Sequence, residues 1–211
     1  MISIVAEGVF LCLAWCLYWL CRDRRRYLKQ RIGRNAFRNV FQVTRNISFM
    51  LSRKELMLRG NTGILNGGCV LYSFHYGVWE SMPYTLRQLG YRIGVIVNRY
   101  GRSSASVFAR LFDHLLLRWR TAAGARVFYA DNLLEIVKFI KSGGVFGILI
   151  DGNTFFQKHE KARKLSEICG VPLVPFAAYR HRHEGILHIG CDLKVMVMAR
   201  PLDYVWAYKS R

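Results

Sequence analysis

A histidine followed five residues later by a carboxylate stands in the segment Tyr72-Ser-Phe-His-Tyr-Gly-Val-Trp-Glu80. Near neutral pH an imidazole is the side chain best matched to take a proton from a hydroxyl, and a carboxylate beside it fixes its tautomer and stabilises the imidazolium that forms. His75 and Glu80 are therefore the candidate general base and its partner. The spacing alone carries little weight, because six histidines and 13 acids make such a pair easy to obtain by chance. Its setting adds weight: His75 alone has the spacing, and it falls where an apolar strand pattern, Cys69 to Phe74, gives way to a helical stretch from Val78 to Leu89. Reactive groups in open α/β sheets collect at such strand ends, and a turn through Gly77 can bring the carboxylate back to the ring.

Other reactive residue types fit their patterns less well. Ser73 lacks the flanking glycines of a nucleophile elbow. His181, His183 and His188 flank a predicted hairpin turn near Glu184-Gly185 and have no neighbouring cysteine or second cluster, so they read as surface residues and no metal is expected. Gly143-Gly144 precedes a strand without the Lys-Ser/Thr of a phosphate loop.

Alternating strand and helix patterns position the pair. Strands are expected at Cys69 to Phe74, Tyr91 to Val97, Ala125 to Tyr129, Gly144 to Ile150, Pro172 to Tyr179 and Ile186 to Val197. Helices are expected over Ser103 to Arg120, from a cap at Asp131 to Lys141, and over Phe156 to Ile168. Continuous apolar strands alternating with helices predict an α/β fold with a mixed, largely parallel sheet covered by helices on both faces. Upstream, residues 22–60 form a basic amphipathic region, with apolar positions 37, 40, 41, 47 and 51 at helical spacing, suited both to packing and to anionic lipid. Residues 1–21 carry Glu7 as their only charge, and arginines 22, 24, 25 and 26 follow at once. That order predicts an N-terminal membrane-anchoring helix with the remainder, 61–211, a domain in the cytoplasm. The chain has 32 Lys and Arg and a formal charge of +19, which calls for a polyanionic partner. Six cysteines without disulfide or zinc spacing read as reduced thiols.

From about Gly68 onward the chain resembles the bacterial lipid A biosynthesis acyltransferases, the lauroyl and myristoyl transferase branch of the lysophospholipid acyltransferase superfamily. His75 to Glu80 resembles that family's His-Phe-Gly-Asn-Trp-Glu, and Gly90 to Arg99 its following strand ending in arginine. Ser142 to Asp151 resembles its strand ending in Asp-Gln-Asp, Gly170 to Tyr179 its Gly-Ala-Pro-Val-Val-Pro strand, and Tyr204 to Arg211 its closing Trp-rich helix. The resemblance implies transfer of a fatty-acyl chain from an acyl carrier protein or coenzyme A thioester to a hydroxyl of a lipid A precursor, at the inner membrane. It implies no cofactor or metal. His75 and Glu80 would be catalytic, Arg99 a phosphate or oxyanion contact, and Asp151 a substrate contact. The expected partners are the acyl carrier protein or acyl-CoA, a phosphorylated lipid acceptor and an anionic membrane surface, with no nucleic acid. Val78 stands where the family has asparagine, Gly152-Asn153 where it has Gln-Asp, and Thr154 to Cys169 is shorter than in longer members. The last two departures leave room for a lysophospholipid or another lipid hydroxyl or amine as acceptor. A non-catalytic, membrane-tethered basic binding protein would explain the charge but not the ordered segments.

Overall fold

The computed structural model describes residues 35–97, 114, 117–150, 155–182 and 184–203. Their elements, in chain order, are helix α1 (Ala36–Leu51), strand β1 (Met57–Gly60), β2 (Cys69–Ser73), α2 (Ser81–Gln88), β3 (Ile93–Val97), β4 (Arg126–Tyr129), α3 (Leu133–Lys141), β5 (Val145–Leu149), α4 (Phe155–Cys169), β6 (Leu173–His181), β7 (Glu184–Ile189) and α5 (Leu193–Ala199). Residues 117–122 are also helical. The strands make one seven-stranded sheet in the order β1-β7-β6-β2-β5-β3-β4. Only the β6–β7 pair is antiparallel, so the sheet is mixed and mostly parallel, as expected of an α/β fold.

Side-chain alternation along the central strand sorts the helices onto two faces. Cys69 and Leu71 join Val95, Val145 and Phe176 against Phe49 and Met50 of α1 and Met82 and Leu86 of α2. Val70 turns the other way, joining Phe128 and Phe146 against Ile136, Phe139 and Ile140 of α3 and Ala162 and Leu165 of α4. Both faces of a parallel sheet must be covered, which is why β2 and β5 read as unbroken apolar runs.

Several boundaries differ from the sequence expectation, each for a local reason. The helix expected from Val78 begins only at Ser81, because residues 76–78 are held by the sheet. Asp131 does not cap α3; Asn132 occupies the cap position, without a side-chain bond. The strand expected from Ile186 to Val197 stops at Ile189. Gly190 adopts φ +76° there, and the Asp192 carboxylate accepts the amides of Lys194 and Val195, starting α5 instead. The hairpin turn falls at Arg182 (φ +56°), ahead of Glu184-Gly185. Residues 57–60, grouped by sequence with the basic helical region, form edge strand β1, paired with β7. On α1 the buried face is only in part the one that periodicity selects: Val40 and Ile47 are half-buried, Ile47 against the core. Asn39, Asn46, Phe49 and Met50 are buried, while Phe37, Phe41 and Leu51 are exposed. The expected membrane anchor, most of the Ser103–Arg120 stripe, His183 and the Tyr204–Arg211 segment lie outside the described residues. Among the described residues no helix is long and apolar enough to cross a membrane.

Candidate functional site

Parallel pairing brings the C-terminal ends of β2, β5 and β3 to one edge of the sheet. The connection leaving β2 runs through α2 on one face to β3, and that leaving β5 runs through α4 on the other face to β6. Adjacent strands whose connections part in this way open a crevice at their carboxyl ends, the usual binding position in such sheets. His75 follows β2 directly at that point. Asp151 follows β5 and Arg99 follows β3 in the sequence, and both lie outside the described residues.

The loop carrying His75 is tied down on every side. The carbonyl of Ser73 accepts the amide of Ile150 (2.9 Å), joining the ends of β2 and β5. The amide of Tyr76 donates to the carbonyl of Phe74 (2.7 Å), closing a three-residue turn with His75 at its centre. Tyr76 is fully buried, and its hydroxyl donates to the carbonyl of Met196 (3.0 Å). Gly77 forms a bridge to Ala178 of β6, its amide donates to the carbonyl of Asp203 (2.9 Å), and the Val78 amide donates to the carbonyl of Ala178 (2.8 Å). Glycine is required at 77: its φ is +60°, and a Cβ would lie 2.1 Å from the Ala178 oxygen.

Trp79 touches both members of the pair. Its ring meets the His75 imidazole edge-on at 5.2 Å between centroids, and its Nε1–H donates to Oε1 of Glu80 (3.2 Å). Glu80 takes the N-cap position of α2, but its side chain does not cap the helix. It is 7% exposed and faces Arg120, whose Nε donates to Oε2 (2.9 Å) and whose Nη2 donates to Oε1. Two oxygens thus receive three N–H groups, and a two-pronged guanidinium contact holds a carboxylate more firmly than a single bond could. His75 is half-buried at the crevice, so a substrate can approach it while its neighbours stay fixed.

Nearby nucleophiles are poor. The Ser73 hydroxyl is fully buried and has no hydrogen-bond partner among the described residues. Burial pushes the Cys69 thiol up to about 12 and the Cys191 thiol up to about 11. Burial is also the chief cause raising Tyr76, with Asp203 adding to it, and raising Tyr72, with Cys191 and Asp192 adding to it. These four groups stay protonated at neutral pH, so none of them offers a thiolate or phenolate nucleophile.

Sequence reasoning singled out His75 and Glu80, which lie in one short segment sharing Trp79 as a neighbour. It missed Arg120, Trp79 and Asp203 as determinants of the site. Trp79 was within reach, sitting inside the motif itself. Arg120 closes an apolar helical stripe, and nothing in that stripe signals a partner 40 residues away. A scan against protein-family models finds no match to the chain, and no curated protein shows a significant match to its sequence.

Proposed function

We propose that the chain is a membrane-associated acyltransferase in which His75 is the general base for attack of a lipid hydroxyl on an acyl thioester. The observation that carries this reading is the half-buried imidazole just past the end of the central parallel strand, in ring contact with Trp79, whose N–H in turn reaches a buried carboxylate that Arg120 holds. As the acceptor oxygen bonds to the thioester carbonyl carbon, its proton passes to the imidazole. As the carbon–sulfur bond breaks, the imidazolium returns that proton to the departing thiolate, so the histidine ends as it began. Glu80 supplies negative charge to the site of the transient imidazolium and is held in place by Arg120 and Trp79.

The resemblance to the lipid A acyltransferases supplies the donor, acyl carrier protein or coenzyme A thioester, and the acceptor, a lipid A precursor or related glycolipid. Arg99 would contact phosphate or oxyanion and Asp151 the substrate. The +19 charge suits an acidic carrier, a phosphorylated acceptor and the inner-membrane surface on its cytoplasmic side, with residues 1–21 as the anchor. On α1, the exposed Phe37 and Phe41 beside Arg38 and Arg45 add a surface of the kind that lies on anionic lipid.

Labelled acyl carrier protein and a panel of lipid acceptors provide the test. His75→Ala should lower turnover by roughly 10²–10⁴ while the protein stays folded and lipid-bound. A variant that keeps most of its activity, or a covalent acyl adduct on Ser73 or a cysteine, would overturn the mechanism.

A further inference from the structure

Asp203 carries one of the few buried charges among the described residues, at 2% exposure. Its Oδ1 accepts from Nε2 of Gln42 (2.8 Å) and Nδ2 of Asn46 (2.9 Å), both on α1, and its Oδ2 accepts from Nε of Arg200 (2.9 Å). The Arg200 guanidinium lies over the Tyr179 ring at 5.4 Å. Beside it, the carbonyl of Leu202 accepts from Nδ2 of Asn39 (2.9 Å), so three residues on one stripe of α1 face this turn. The carbonyl of Asp203 itself holds the amide of Gly77, two residues past His75 and three before Glu80.

Each end of this arrangement constrains the other. Among the described residues the three donors that reach the carboxylate are all N–H groups, and a carboxylate has acceptor sites for all three. An asparagine would satisfy Gln42 and Asn46 through Oδ1 but turn its own NH₂ toward the Arg200 donor. With the side chain fixed at both oxygens, the main-chain carbonyl of the same residue has no freedom to follow Gly77 if the loop shifts. Gly77, at φ +60° and bridged to Ala178, is equally confined.

We propose that Asp203 is a positioning residue of the His75–Glu80 site: its carboxylate is clamped to α1 and Arg200 so that its carbonyl fixes the loop presenting His75. The inference rests on the reading of His75 as general base, and the test separates the two. Asp203→Ala and Asp203→Asn are compared with the unaltered full chain by site-resolved amide exchange, by the imidazole proton resonance of His75 (assigned with His75→Ala), and by acyl-transfer kinetics.

In Asp203→Ala the Gly77 amide should exchange at least about tenfold faster while the β5 amides keep their protection, as expected of a local opening. The His75 resonance and its titration midpoint should move. Turnover should fall on the order of 10²-fold with KM little changed, the scale of a misplacement of about 1 Å. Asp203→Asn, which keeps the two α1 contacts and loses the Arg200 one, should fall between Asp203→Ala and the unaltered chain in Gly77 protection and in turnover. Unchanged Gly77 exchange and an unmoved His75 resonance overturn the proposal. So does protection lost evenly over β2 and β5, the mark of a purely global role. If Asp203→Ala does not fold, Asp203→Asn decides: wild-type values for Gly77, His75 and turnover overturn the proposal, and intermediate ones support it. An unaltered chain that transfers no acyl group removes the functional reading, and Gly77 exchange and the His75 resonance still decide the positioning role.

Discussion

Arg120→Ala leaves the Glu80 carboxylate buried with the indole N–H of Trp79 as its remaining donor in the triad described above. Removing one partner of a buried ion pair costs about 3–5 kcal/mol, most of it the penalty of a lone buried charge. The Arg120 side chain is 19% exposed and the Glu80 side chain 9%, so water can enter the vacated space and the lower end, about 3 kcal/mol, applies. Glu80→Gln keeps the shape but loses hydrogen bonds to a charged group, worth about 2 kcal/mol. In the double variant the lone charge is gone. The total should stay near 3 kcal/mol rather than 5, a coupling of about 2 kcal/mol between the two sites. Urea unfolding of the four proteins in one mild detergent measures this, provided the slope with denaturant is the same for all. Single substitutions costing under about 1 kcal/mol each and adding without coupling would refute the idea that Arg120 holds Glu80 in place.

Gly77→Ala should lower stability by about 3 kcal/mol, combining a left-handed backbone cost of roughly 1–2 kcal/mol with weakened bonds to Asp203 and Ala178. A urea midpoint shift equivalent to under about 1 kcal/mol would show that the loop can yield. The raised Cys69 and Cys191 thiols keep their protons in the folded state after the unfolded chain has begun to lose them. Their stabilising contribution is therefore complete below the ordinary value of 9.0 and declines as pH rises toward about 11 and 12. Unfolding measured from pH 8 to 11 should show this fall, shallower in Cys69→Ala/Cys191→Ala. Binding to vesicles containing anionic lipid should weaken as salt rises, because exposed charges are screened over about 8 Å at physiological ionic strength. A flat profile in co-sedimentation would leave apolar contact as the main attachment.

The sequence shows most clearly the elements whose burial is two-sided or periodic over many residues. β2 and β5 are continuous apolar runs because both faces are covered, and α4 runs from Phe155 to Cys169, within a residue of its expected span at either end. Where the outcome depends on a single competing contact, the pattern misleads. Val195 and Val197 favour a strand by propensity, yet one carboxylate at Asp192 accepting two amides makes that stretch helical. β1 is four residues long and mostly exposed, so it offers no alternation to read. On α1 the amides of Asn39, Gln42 and Asn46 find acceptors in the Pro201–Asp203 turn and so take the inward face from Phe37 and Phe41. The same limit governs the site: His75 and Glu80 are neighbours in sequence, while the Glu80–Arg120 and Asn46–Asp203 contacts span 40 and 157 residues.

The strand order also sets a problem in time. β2 is the second of the described strands in chain order but lies at the centre of the sheet, and its neighbours β5 and β6 begin at Val145 and Leu173. About 70 residues separate the end of β2 from the start of β5. At roughly 5–20 residues per second, an emerging chain carries β2 without either native partner for several seconds. During that interval Val70 and Leu71 have no sheet to join, and the contacts that finally bury them are distant in sequence, the kind that form slowly. Maturation of the centre must therefore wait for the last third of the chain. Truncation ahead of β6 would leave an unpaired apolar edge prone to self-association rather than a smaller working domain.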